Sequence, residues 1–169
     1  MAPTNTLKFT SLNCFGFKGN YVYANSLVKS HDCIFLCELW LTKCEEHHLE
    51  EYKDDVLVVF TPAKQQAQGR PFGGNVFLLR KTKFTNTISL LQEDYTTTEK
   101  TTFHHNQLII AAVYLQSLNK NTNCIGTYKS QLSCITGIIN QFNSIADTII
   151  LGDFQSCPIV HESQRYSSP

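Results

Sequence analysis

Apolar and polar positions follow two rhythms along this chain. Leu7, Phe9 and Ser11 alternate with Lys8, Thr10 and Leu12 as far as Asn13, and this two-residue period predicts a first strand. Gly16 and Gly19 interrupt it. Tyr21, Ala24, Leu27 and Val28 then recur at helical spacings, so residues 20 to 30 are expected to form an amphipathic helix. Cys33-Ile34-Phe35-Leu36-Cys37 is a continuous apolar run closed by Glu38, as a strand covered on both faces requires. Strand, helix, strand in that order argues for parallel strands joined by a crossover helix.

Residues 42 to 51 are polar, with Thr42 and Glu45 at capping-box spacing, and predict a short exposed helix. Val56 to Phe60 reads as a third strand, and the glycines, prolines and glutamines of residues 61 to 73 as a loop. Gly74 to Leu79 and, after a tight turn at Lys83, Thr85 to Leu91 read as further strands. The threonine-rich piece from Thr96 to Thr102 suits either an edge strand or a loop. Leu108 to Tyr114 carries the strongest strand signal. After a polar loop at residues 116 to 124, Tyr128, Leu132, Ile135, Ile139 and Phe142 repeat in steps of four and three, which predicts a helix despite Gly137. Thr148 to Leu151 is a final strand, where Gly152 is expected to turn the chain and let Asp153 emerge. The tail from 158 to 169 has no period and reads as irregular.

Four polar residues close these strands: Asn13, Glu38, Tyr114 and Asp153. Ligands of open α/β sheets gather beyond the carboxyl ends of strands, so the four can share one crevice. A hard cation such as Mg²⁺ takes oxygen ligands and keeps several waters, a requirement that Glu38 and the amide of Asn13 meet in part. Asp153 can orient or deprotonate a water, and the Tyr114 hydroxyl can donate to a phosphate oxygen.

Composition narrows the picture. The chain has 169 residues, 42% apolar and 11% aromatic, enough for one globular domain. Fourteen basic and fourteen acidic side chains cancel, so a nucleic-acid partner needs a local patch, for which Arg80-Lys81-Thr82-Lys83 is the candidate. Seven cysteines, several of them inside apolar runs, favour free thiols and an intracellular, reducing compartment. The amino terminus lacks the pattern of a signal peptide, and no apolar run reaches membrane-spanning length. Cys37, Cys44, His47 and His48 offer zinc-ligand types, but without paired Cys-x-x-Cys spacing.

Ser11-Leu12-Asn13, Ile34-Phe35-Leu36-Cys37-Glu38-Leu39-Trp40-Leu41, Gly73-Gly74-Asn75-Val76, Val113-Tyr114 and Leu151-Gly152-Asp153-Phe154 resemble, in order and spacing, the endonuclease/exonuclease/phosphatase superfamily. The match looks most like the apurinic/apyrimidinic-type endonuclease domain of non-LTR retrotransposon polyproteins and spans residues 6 to 157. The resemblance implies an α/β fold, a four-layer sandwich of two mixed sheets flanked by helices, incomplete at the carboxyl-terminal end. It implies Mg²⁺-dependent (or Mn²⁺-dependent) phosphodiester hydrolysis with DNA as substrate. Asn13 and Glu38 then match the metal-site amide and acid, Tyr114 the phosphate-contacting tyrosine, and Asp153 the aspartate that positions the attacking water.

Two departures bear on activity. Gln155 stands where the family has a catalytic asparagine, and it is one methylene longer. The late Ser-Asp-His motif that supplies a catalytic Asp-His pair has no counterpart, since His161 is followed by Glu162 and His104-His105 lacks the context. The same departure predicts exposed strand edges and weak or absent nicking. A non-catalytic retroelement remnant and a phosphatase acting on a small phosphate ester are the other functions compatible with these residues.

Overall fold

The structure, a computed structural model, describes residues 6–84, 89–95, 98–105, 108–115 and 124–154. Two four-stranded sheets form its centre. In the first, β1 (Phe9–Asn13) lies parallel to β2 (Cys33–Cys37), β2 antiparallel to β4 (Asn75–Arg80), and β4 antiparallel to β3 (Val56–Thr61). In the second, β5 (Ser89–Tyr95), β6 (Thr98–His105) and β7 (Leu108–Tyr114) run antiparallel in turn, and β8 (Asp147–Asp153) lies parallel to β7. The crossover expected between the first two strands is helix α1 (Tyr21–Ser30).

All five residues of β2 are buried because both its faces are covered. Ile34, Leu36, Val76 and Leu78 point to one side, where Ala24, Leu27 and Val28 of α1 and Leu49 and Tyr52 of a 3₁₀ helix (Lys43–Tyr52) pack on them. Cys33, Phe35, Cys37, Phe77 and Leu79 point to the other side and meet Ile110 and Ala112 of the second sheet. Phe35 and Phe77 face each other in register with ring centroids 6.2 Å apart. Helix α3 (Cys124–Phe142) covers the outer face of the second sheet, with Ile135 against Val113 and Leu115. Helices, sheet, sheet and helix make the expected four-layer α/β sandwich.

Several local expectations are corrected. Of the strand expected at Thr85–Leu91, residues 89–91 lie in β5, which extends to Tyr95, while residues 85–88 lie outside the described residues; a single helical turn, α2 (Lys81–Phe84), stands where a tight turn was expected and buries Phe84 between the sheets. Thr98 to Thr102 of the threonine-rich piece belong to β6, which lies between β5 and β7 and is therefore an inner strand, while residues 96–97 lie outside the described residues. The polar helix after Glu38 is a 3₁₀ helix, capped as its spacing predicts by Glu45, which accepts from the Thr42 backbone N–H at 2.9 Å and its hydroxyl at 2.8 Å. The basic run does not form a patch beside the crevice. Arg80 pairs with Asp32 at 3.4 Å and donates to the His31 carbonyl at 2.9 Å, tying the end of α1 to the end of β4 remote from Glu38. Residues 155–169, including Gln155 and the tail expected to be irregular, lie outside the described residues.

Candidate active site at the ends of four strands

Parallel pairing fixes where the four polar residues fall. Asn13 ends β1 opposite Cys37, so Glu38 is the first residue past the neighbouring strand. Tyr114 and Asp153 are register partners that end β7 and β8 together. The sheets pack with these ends on the same side, and two hydrogen bonds cross between them. Asn13 Nδ2 donates to Asp153 Oδ2 at 2.9 Å, and the Tyr114 hydroxyl donates to Glu38 Oε1. All four side chains are partly buried. Four residues spread over 140 positions of sequence thus form one cluster.

The local backbone is as specific as the side chains. Gly152 does not turn the chain as expected; it lies within β8, at a φ of 150°, opposite Val113. A Cβ there would stand 1.8 Å from the Val113 carbonyl oxygen, so glycine is required for β8 to come this close to β7. Glu38 and Trp40 both adopt left-handed backbone, with φ of 55° and 57°. Hydrogen bonds on both sides of this segment hold it: Gly16 N–H to the Glu38 carbonyl at 2.8 Å, and Leu39 and Trp40 N–H to the Gly74 and Gly73 carbonyls at 3.0 Å. The left-handed kinks turn the Trp40 indole back, and its Nε1–H donates to Glu38 Oε2 at 2.6 Å. Trp40 is a positioning residue that the strand-end pattern does not single out. Its sequence signal is its place in the Leu39-Trp40-Leu41 run directly after the acid.

Charge and protonation follow from burial. Burial, reinforced by the hydrogen bond to Glu38 and its charge, pushes the Tyr114 phenol above its ordinary range, so it is a proton donor at neutral pH. Burial likewise pushes the Cys14 thiol up to about 12, and raises Cys37 with help from the nearby Asp153. Protonated, buried thiols are poor metal ligands. Among the described residues no cluster of three or more His, Cys, Asp or Glu side chains suits a metal, and Cys44 is exposed whereas Cys37 is buried inside β2. The zinc arrangement of Cys37, Cys44, His47 and His48 is therefore not formed.

The donor set does fit a hard divalent cation. Glu38 and Asn13 offer a carboxylate and an amide oxygen, and the amide oxygen is oriented by accepting the Phe15 N–H at 3.2 Å. Each of these oxygens carries a second lone pair. A site built this way completes its shell with water, in the manner of Mg²⁺.

No protein-family model matches the sequence, and no curated protein matches it. Solved structures do share its fold. The 3′-5′ exonuclease NExo from Neisseria meningitidis aligns with a TM-score of 0.67 at 12% identity, covering 90% of this chain and 59% of that one. The 3′ phosphatase NExo from Neisseria bound to product DNA hairpin aligns with a TM-score of 0.68 at 12% identity over the same shares. A humanized D. rerio TDP2 aligns with a TM-score of 0.60 at 20% identity, covering 91% of this chain and 64% of that one. The chain thus spans about three-fifths of the length of these proteins.

Proposed function

We propose that this chain is a metal-dependent phosphodiesterase-type domain acting on DNA, of the endonuclease/exonuclease/phosphatase superfamily. The observation that carries the proposal is the convergence of Asn13, Glu38, Tyr114 and Asp153 through hydrogen bonds across the two sheets. The fold shared with NExo and TDP2 supports it, as does the ordered set of sequence motifs.

In this reading Glu38 and the Asn13 amide oxygen hold Mg²⁺ or Mn²⁺, whose chemistry when bound is to neutralise charge on a phosphate oxygen. The chain's own residues supply the rest. Trp40 fixes the Glu38 carboxylate from one side, and the Tyr114 hydroxyl holds it from the other until substrate enters. Tyr114, held protonated, donates its hydroxyl hydrogen to a non-bridging phosphate oxygen when substrate enters. Asn13 holds Asp153 in one orientation, from which the carboxylate can accept a proton from an attacking water. Gln155 is assigned the place of the family's asparagine as a further donor to the phosphate.

Within this class we favour the endonuclease of a non-LTR retroelement, on the strength of Leu39-Trp40-Leu41 after the acid. The buried free thiols Cys14, Cys33 and Cys37 support a reducing, intracellular setting. Among the described residues no helix is long and apolar enough to cross a membrane.

The test is prolonged incubation of the purified chain with supercoiled plasmid and with a 3′-phosphorylated hairpin, in Mg²⁺, Mn²⁺ or EDTA. Slow nicking that needs the metal and is lost in Glu38→Ala and Asp153→Ala is the expected result. Phosphate release without nicking would select the phosphatase reading. Cleavage that survives both substitutions would remove the site.

A further inference from the structure

The loops that position Glu38 also bring an aromatic and cationic surface to the rim of the cluster. Arg70 Cζ stands over the Trp40 ring, 3.8 Å from its centroid, while Trp40 itself is bonded to Glu38. The Trp40 N–H donates to the Gly73 carbonyl, which places Phe72 next to this pair, and the Gly16 N–H donates to the Glu38 carbonyl, which places Phe15 beside it. Phe15 and Phe72 are 69% and 47% exposed. Two solvent-facing rings and an arginine-covered indole therefore stand on adjoining loops, immediately beside a carboxylate.

The loop that carries Arg70 and Phe72 is basic, although Glu38 lies next to it. From Val56 to Gln92 the sequence has no acidic residue, and the loop between β3 and β4 carries Lys64 and Arg70 as its charges. An anionic ligand with an aromatic face matches this surface. A base in a duplex is stacked on its neighbours and presents only its edge, whereas an unpaired base offers a whole face, and stacking it on an aromatic side chain is worth about 1–3 kcal/mol. The arginine suits the accompanying phosphate.

We propose that Arg70, Trp40, Phe15 and Phe72 form a docking ledge for an unpaired DNA nucleotide next to the phosphate that Tyr114 contacts. Phe15 or Phe72 stacks the base, and Arg70, braced on Trp40, meets the adjoining phosphate. The ledge rests on the DNA reading given above and adds to it a preference for single-stranded or frayed strands over closed duplex.

Trp40 is the single tryptophan of the chain, so its fluorescence reports on the ledge directly. The full chain is titrated in EDTA with fluorescein-labelled oligothymidylate of roughly ten nucleotides and, separately, with a blunt hairpin duplex. Anisotropy of label and quenching of Trp40 are followed together. The single strand is expected to bind about fivefold or more tightly than the duplex and to quench Trp40. Arg70→Ala and the double variant Phe15→Ala/Phe72→Ala are each expected to weaken it about fivefold, with Lys29→Ala on α1 unchanged. The substituted side chains are exposed, and a melting curve for each variant checks that it is folded. Equal affinity for duplex and single strand, no effect of the ledge variants, or no binding at all would overturn the proposal. Because no metal is present, failure of hydrolysis is scored separately: a chain that binds single strands and never cleaves keeps the ledge, and one that cleaves but prefers duplex loses it.

Discussion

Gly152 and Tyr114 show how much of the candidate site depends on single atoms. With 1.8 Å between a notional Cβ and the Val113 carbonyl oxygen, Gly152→Ala must push β8 away from β7. A loss of at least about 2 kcal/mol in denaturant unfolding is expected, in the range for overpacking together with unfavourable backbone. Gly19→Ala, where a Cβ meets nothing within 4 Å, serves as the control. Tyr114 makes a pH-dependent prediction. Its pKa is raised in the folded chain, so the stability it contributes is complete below the ordinary phenol value and is lost only as pH climbs through the higher folded one. The alkaline absorbance titration of the wild type minus that of Tyr114→Phe should therefore place this phenolate above pH ~10. A phenolate appearing at or below that value would contradict its burial against Glu38. Asn13, Glu38, Tyr114 and Asp153 were legible in sequence because each sits where an apolar run stops. Trp40 was not, because its bond to Glu38 exists only through left-handed backbone at two non-glycine residues, which no apolar pattern encodes.

At the scale of elements, the 3₁₀ helix after Glu38 anchors the loop that presents the site. Glu45 accepts from Lys18 at 2.6 Å as well as from Thr42, so one carboxylate links the turn after β1 to the start of this helix. These contacts, Lys18 first, lower its pKa to about 2. The sign follows from the depression: the contribution is present above the unfolded carboxylate value near ~4.3 and disappears as pH falls through the folded one. The difference in unfolding midpoint between wild type and Glu45→Gln should accordingly be constant from neutral pH to about pH 5 and shrink as pH falls toward about 2. A gap independent of pH would mean that the charge is not what matters. The strands of the first sheet were readable because β2 and β4 are continuous apolar runs covered on both faces. Ser89 to His105 was harder. Thr98 to His105 is strongly polar, and its place as an inner strand comes from pairing with β5 and β7 rather than from its own pattern.

Across the whole molecule, the parallel pairs β1/β2 and β7/β8 lie in different sheets, and the cluster exists only because the sandwich brings their ends together. Cys33, Phe35 and Cys37 from one sheet and Ile110 and Ala112 from the other fill the space between them, so the core that joins the sheets also sets the spacing of Glu38 and Tyr114. The fold class was legible from the order of strands and helices and from the motifs, but the basic run at Arg80 was misleading. Charge count alone cannot distinguish a solvent-facing patch from an arginine bound to Asp32 and the end of α1. In the proposed function this cluster binds a divalent cation. This is tested most directly by calorimetric titration of the metal-free chain with Mn²⁺. One ion per chain should bind, with binding lost in Glu38→Gln and weakened in Asn13→Ala while both variants stay folded. Undiminished Mn²⁺ affinity in folded Glu38→Gln would show that the cation does not sit at Glu38.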